Sequence, residues 1–192
     1  MRDPWILRRP SLTKGTISLF CLPFAGGGAS FFLNWSKHLL PGVEVVPIQL
    51  PGRETRLNDS PIDNVTALVA KILPSIRDLL DKPYALFGHS MGAIVAFELA
   101  RTIRKLDLVE PHRLILSGKR AIHLLKAEEP IGWLPDEDLI LSLKERYGFE
   151  VSSDTIELVK LMIPTIRADI IAIENYEYIS EPPFDFPITA FR

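Results

Sequence analysis

Tyr84-Ala85-Leu86-Phe87-Gly88-His89-Ser90-Met91-Gly92-Ala93-Ile94-Val95-Ala96-Phe97-Glu98-Leu99-Ala100 is the stretch that decides the fold. Tyr84 to Phe87 is a short apolar run of the kind that fills a buried strand. Ala93 to Ala100 reads as a helix built mostly from good helix formers. Between them, Gly88-His89-Ser90-Met91-Gly92 matches G-x-S-x-G. The pentapeptide alone is a modest signal, but a strand entering and a helix leaving are the context its chemistry demands. A sharp strand-to-helix turn lifts the serine hydroxyl above the sheet, and glycines on both sides relieve the crowding. The helix N-terminus behind the serine also favours developing negative charge. Ser90 is therefore read as a nucleophile at the tip of an elbow. A plain helix-capping serine would need neither glycine.

The neighbouring segments extend the pattern outward. Thr16 to Leu22 is a β-rich run closed by Pro23 and Gly26-Gly27-Gly28, and Val43 to Leu50 is a second, bounded by Pro41-Gly42 and Pro51-Gly52. Phe31, Phe32, Trp35 and Leu39 between them recur at helical spacing. Ser60-Pro61 with Asp63 reads as an N-cap, a proline at the first helical position and an acid in the first turn. Ile62, Val65, Val69, Ile72, Ile76 and Leu79 then trace one helix face. The helix after Ser90 runs to about Lys105, and Arg113 to Leu116 is a further strand. Strands alternate with helices through Gly118, which predicts a mainly parallel sheet flanked by helices, an α/β fold.

Beyond Gly118 the rhythm changes. Leu134-Pro135-Asp136 opens a helix that Gly148 closes. A longer helix follows, with Ile156, Val159, Ile163, Ile166, Ile170 and Ile173 on one face and a kink expected at Pro164. Two successive helices read as an insertion over the sheet, before Pro187 to Phe191 resumes strand character. The expectation is a single domain over residues 1–192, with its core in 1–120 and 174–192 and a helical lid over about 121–173.

The bulk properties narrow the function classes. The 192 residues, 47% apolar and 24% charged, suffice for one packed core. A net charge of −2 offers no basic surplus for nucleic acid. No segment has the length and apolarity of a signal core or a membrane span, so a cytoplasmic protein with no membrane partner is expected. Cys21, the single cysteine, lies in an apolar run and reads as a buried structural thiol. No metal site and no cofactor are expected.

The loop Pro23-Phe24-Ala25-Gly26-Gly27-Gly28 supplies the second half of the candidate site. It contains neither G-x-x-x-x-G-K-[ST] nor G-x-G-x-x-G, so a phosphate cradle is the weaker reading. Backbone N–H groups from this loop and from Met91 are placed to hold the oxyanion of a tetrahedral intermediate.

Taken with Gln49-Leu50-Pro51-Gly52-Arg53, Leu116-Ser117-Gly118-Lys119-Arg120-Ala121, Leu134-Pro135-Asp136, Arg167-Ala168-Asp169 and Pro187-Ile188-Thr189-Ala190, these motifs span almost the whole chain in one order. In that order the sequence resembles the type II thioesterases that accompany polyketide and nonribosomal peptide synthetases. The resemblance implies an α/β-hydrolase fold and release of acyl groups from the phosphopantetheine arm of carrier proteins. Ser90 would then attack the thioester carbonyl, and the N–H groups of Met91 and Phe24 would bind the oxyanion. The partners implied are acyl or peptidyl carrier domains, met by a monomer, and the pantetheine belongs to the partner.

Ile122 departs slightly from the family, which often has proline there. In the family, Pro187-Ile188-Thr189-Ala190 leads to a turn with the acidic triad member, and the base histidine follows one strand later. The 192 residues end before either position, so the resemblance implies that the last strands and the triad Asp and His are absent from them. Among the histidines present, His89 is expected to pack beneath the elbow, and His38 and His112 to be surface residues. His123 is the one conceivable stand-in base, with no acid placed to orient it. The alternatives are a carboxylesterase of the same fold and a non-catalytic remnant that binds carrier domains. Arg53, Arg56 and Asp169 read as solvated charges or an ion pair between elements. Docking an acidic carrier is a second reading of Arg53. The apolar Pro-Ile-Thr-Ala-Phe run is expected to be an exposed, aggregation-prone sheet edge if unpaired.

Overall fold

The computed structural model describes residues 3–7, 17–125, 129–148 and 156–191. Among the described residues five strands form one sheet: β1 (Ile17–Leu22), β2 (Val43–Pro47), β3 (Tyr84–His89), β4 (Arg113–Ser117) and β5 (Ile188–Phe191). Their order across the sheet is β2-β1-β3-β4-β5, and every pairing is parallel. Each expected strand is present, although β2 ends at Pro47 rather than Leu50, and Thr16 falls outside the described residues. The order reverses between β1 and β3, since the chain leaves β1 towards one side and later returns to the other. Such a switch point opens a crevice at the C-terminal ends of the two strands.

Strand alternation divides the core. Phe20 and Leu22 of β1, with Tyr84 and Leu86 of β3, face α1 (Val65–Ile76) and α2 (Met91–Lys105). Leu19, Cys21, Ala85 and Phe87 point the other way and meet Phe32. Cys21 is fully buried, and its desolvation pushes the thiol well above its usual range. It behaves as a small apolar side chain.

Two local expectations are corrected. The Phe31-to-Leu39 segment is not an α-helix but two 3₁₀ turns, Ala29–Phe32 and Trp35–Lys37. So short a segment does not repay helix nucleation, and edge-to-face contacts among Phe31, Phe32, Trp35 and Phe87 hold it instead. The cap of α1 is Asn64, whose side chain accepts the Ala67 N–H at 2.9 Å, rather than Ser60. Pro61 is engaged elsewhere, packed close to Gly52.

Between β4 and β5 come α3 (Asp136–Tyr147), closed by left-handed Gly148, and α4 (Ile156–Glu174), which runs through Pro164 as one element. Leu139, Leu143, Ile163, Ile166 and Ile170 form an apolar core between them, against which Ala25 also packs. Thus α4 touches the Gly-rich loop directly. β5 is the last strand on its side of the described sheet, with Ile188 and Phe191 about half exposed.

Candidate active site

The elbow is built by close approach of backbone to backbone. A Cβ on Gly88 would run into the carbonyl oxygen of Gly92, and one on Gly92 would run into that of Leu22. No side chain fits at either place, so both glycines are imposed by the turn. Ser90 itself has φ 53° and ψ −111°, a conformation that L-residues rarely adopt. Its N–H donates to the Ser117 carbonyl at 2.8 Å, and its carbonyl accepts from Ala93 at 3.1 Å. The strained serine is thereby pinned from β4 and from the first turn of α2, which is where such strain persists.

Ser90 opens into a cavity of about 740 Å³. Its floor comes from residues at or just beyond the C-terminal ends of β1, β3 and β4: Phe24 to Gly27, His89 with Ser90, and Gly118 with Lys119. Its roof is apolar and comes from α3 and α4, through Leu143, Val159, Met162, Ile166, Ile170 and Ile173. A long apolar group can therefore lie along the roof while its reacting end reaches the hydroxyl.

The structure brings Phe24 and Ser90 to one cavity. The Phe24 ring packs edge-to-face on Phe31 and His89, with centroids 5.3 and 6.0 Å away. Met91, the first residue of α2, buries its side chain in the core and does not line the cavity, so any part it takes in the site falls to its N–H. Among the described residues, neither the Phe24 nor the Met91 N–H has a backbone acceptor outside the regular ladders. By contrast, the Gly26 N–H donates to Asp169 at 2.7 Å and the Gly27 N–H to the Phe24 carbonyl at 2.9 Å.

His89 is also corrected. It does not pack beneath the turn but lines the Ser90 cavity, with Nδ1 3.1 Å from the Ser117 hydroxyl. Gly118 explains the room it has: a Cβ there would lie 2.5 Å from the imidazole Cε1. All four histidines fall on described residues. His38, His112 and His123 are exposed, and none of the three lines the cavity.

The largest surprise is charge. Arg53 is 2% exposed and Asp169 0%. They form a bidentate pair, with Nη1 to Oδ2 at 2.7 Å and Nη2 to Oδ1 at 2.9 Å. Burial excludes the docking reading of Arg53. Arg56 stacks its guanidinium 4.1 Å over the Trp5 ring and pairs with Asp59. One turn before Asp169 on α4, Thr165 donates its hydroxyl to the Gly52 carbonyl at 2.5 Å. Arg167, on another face of α4, binds the carbonyls of Gly132 and Leu134 and the carboxylate of Asp136. The Arg167-Ala168-Asp169 and Leu134-Pro135-Asp136 motifs are thus a fastening of α4 to its surroundings. Sequence reasoning marks these residues but not their task, because the partners lie up to 143 residues apart.

Comparison with known proteins agrees with this geometry. The profile of the thioesterase domain family matches residues 17–192. The gramicidin S biosynthesis protein GrsT of Aneurinibacillus migulanus is 39% identical over 190 residues, covering 98% of this chain and 74% of that protein. The solved type II thioesterase BorB from the borrelidin biosynthetic cluster superposes with a TM-score of 0.87 at 35% identity, covering 99% of this chain and 78% of that one. RedJ, a thioesterase of the prodiginine pathway in Streptomyces coelicolor, gives a TM-score of 0.84 at 34% identity, covering 96% and 71%.

Proposed function

The chain belongs to the thioesterase family, and on that premise we propose that it hydrolyses acyl thioesters carried on the phosphopantetheine arm of acyl or peptidyl carrier domains. The observation that carries this reading is a strained, partly exposed Ser90 lining an apolar-roofed cavity. Relatives named for gramicidin S and borrelidin biosynthesis, the latter a type II thioesterase, support the carrier-bound substrate. The chemistry follows from the site. The Ser90 oxygen forms a bond to the thioester carbonyl carbon as its proton passes to a base. Negative charge gathers on the carbonyl oxygen, where the N–H groups of Phe24 and Met91 receive it. Collapse breaks the carbon–sulfur bond, and the pantetheine sulfur leaves with the proton. Water then attacks the acyl-serine by the same route, returning the serine and the free acid.

The base is the demanding part. His89 lines the cavity but is engaged with Ser117, and the other three histidines lie outside it. These residues alone therefore leave the serine weakly activated. We expect the 192-residue chain to show the residual catalysis that an oxyanion hole and binding provide, roughly 10³ to 10⁴ over water. Added imidazole should raise that rate in a Ser90-dependent manner. The test is hydrolysis of an acyl-pantetheine thioester by the wild type and by Ser90→Ala, each with and without imidazole. An imidazole-stimulated increase in rate that survives Ser90→Ala would remove the nucleophile assignment.

Among the described residues no helix is long and apolar enough to cross a membrane. A monomer acting in the cytoplasm is the proposed setting, in keeping with a substrate delivered by a soluble carrier.

A further inference from the structure

The Gly-rich loop is gripped at three successive points by three buried side chains from outside it. Asp169 Oδ2 accepts the Gly26 N–H at 2.7 Å. Arg53 Nη1 donates to the Gly27 carbonyl at 3.1 Å. Gln49 Oε1 accepts the Ala29 N–H at 3.3 Å. The three also hold one another: Arg53 pairs with Asp169 through both nitrogens, and Gln49 Nε2 donates to the Arg53 carbonyl at 3.1 Å. Gln49, Arg53 and Asp169 are 1%, 2% and 0% exposed. They arise from the segment after β2 and from α4, so the loop is bracketed between sheet and helical roof.

So much buried polarity is costly unless it performs a task that an apolar packing could not. An apolar trio could hold α4 on the sheet, but it could neither accept the Gly26 and Ala29 N–H groups nor donate to the Gly27 carbonyl. Those bonds engage the Gly26 and Ala29 N–H groups and the Gly27 carbonyl and so fix the loop's backbone. Phe24 lines the cavity, and its N–H has no backbone acceptor among the described residues. An oxyanion donor acts through preorganisation, since reorienting it during reaction would consume the stabilisation it offers.

We propose that Gln49, Arg53 and Asp169 are positioning residues that preset the Phe24 N–H for the tetrahedral oxyanion, an assignment that rests on the thioesterase reading of Ser90. Their contribution is to the transition state and not to binding of the acyl group, because none of the three lines the Ser90 cavity.

Two ligands separate these contributions. An alkyl trifluoromethyl ketone of pantetheine forms a tetrahedral adduct with Ser90, whereas the corresponding thioether occupies the cavity without one. In the wild type the ketone should bind more tightly than the thioether, and Ser90→Ala should abolish the difference. If the wild type shows no such difference, the Ser90 reading itself fails. Given the difference, Asp169→Asn, Arg53→Lys and Gln49→Leu should each weaken the ketone by about 10- to 100-fold, the scale of a 1 Å misplacement in a site. Thioether affinity should stay within about twofold, which also certifies that the cavity has folded. The exchanged pair Arg53→Asp with Asp169→Arg keeps opposite charges but offers Gly26 no acceptor, so it should not recover ketone affinity. Equal losses for both ligands, or recovery by the exchanged pair, would overturn the proposal.

Discussion

The Arg53–Asp169 pair beside the cavity and the cluster around Arg101 on α2 use the same side-chain chemistry in different surroundings. The first is sealed, its side chains 2% and 1% exposed, and its contacts go to the Gly-rich loop, to the pair itself and to the Pro51 carbonyl. In the second, Arg101 is also buried, but it meets Glu98 and Glu181, whose side chains are 18% exposed, and Arg104 and Lys105 share Glu181. Arg101 also donates to the Ile179 carbonyl at 2.6 Å, and Arg104 to those of Pro182 and Pro183. That cluster clips the segment leading into β5 onto α2, together with Phe97, Tyr178 and Phe184. Its buried Arg101 Nε has no partner among the described residues, so it is not geometrically exhaustive. The difference teaches what each is for. The outer clip has to attach a segment, and spare carboxylates and cations share the task. The inner pair has to fix individual backbone atoms, and both oxygens of its carboxylate are committed.

That contrast is broken most severely by Asp169→Ala. It leaves the Arg53 charge buried without a counterion and should cost about 3–5 kcal/mol in urea denaturation. A loss below about 1 kcal/mol would mean that water or a rearranged loop takes over the carboxylate's place. The matching change outside, Glu181→Gln, should cost less, about 2 kcal/mol, because Glu98 remains on Arg101.

The outer clip also carries a pH signature. Hydrogen bonding to Arg101, ahead of that to Lys105 and Arg104, lowers the Glu181 carboxyl from 4.5 to about 2. A depressed carboxyl stabilises the fold fully above the ordinary value, and the benefit is lost as pH falls towards the depressed one. Between about pH 5 and pH 2, the wild type should therefore lose more of its melting temperature than Glu181→Gln. Parallel losses would show that the clip is not ionic in solution.

Ser90→Gly probes the strain on the inner side. Glycine adopts φ 53° without penalty, so the variant should abolish the imidazole-stimulated turnover while gaining about 1 kcal/mol of stability. A destabilised glycine variant would place the strain elsewhere. The smallest expected effect is Asp59→Asn, since Asp59 is half exposed opposite Arg56; the change should stay within about 0.5 kcal/mol.

The elbow is legible in the amino-acid sequence because all its requirements are local. Gly88 and Gly92 flank Ser90 in one pentapeptide, and the apolar run before it and the helix formers after it announce strand and helix. The strands and the long helices are legible for the same reason, as period and punctuation are written along the chain. Where local signals compete, the sequence misleads. The helical spacing of Phe31, Phe32, Trp35 and Leu39 gives way to aromatic contacts with Phe87, and Ser60-Pro61 gives way to Asn64 as the cap. The direction of His89 is hidden too, since the space above Gly118 is made by a neighbouring strand.

By itself, then, the sequence determined the order of elements, the elbow that carries Ser90 and the Gly-rich loop, because each depends on residues within a few positions of one another. Only the tertiary structure decided what Gln49, Arg53 and Asp169 do. A surface charge and a sealed ion pair are spelled with the same residues. What separates them is the apolar packing of α4 over the Gly-rich loop, which removes water and leaves the carboxylate, the guanidinium and the loop's backbone as one another's main partners among the described residues.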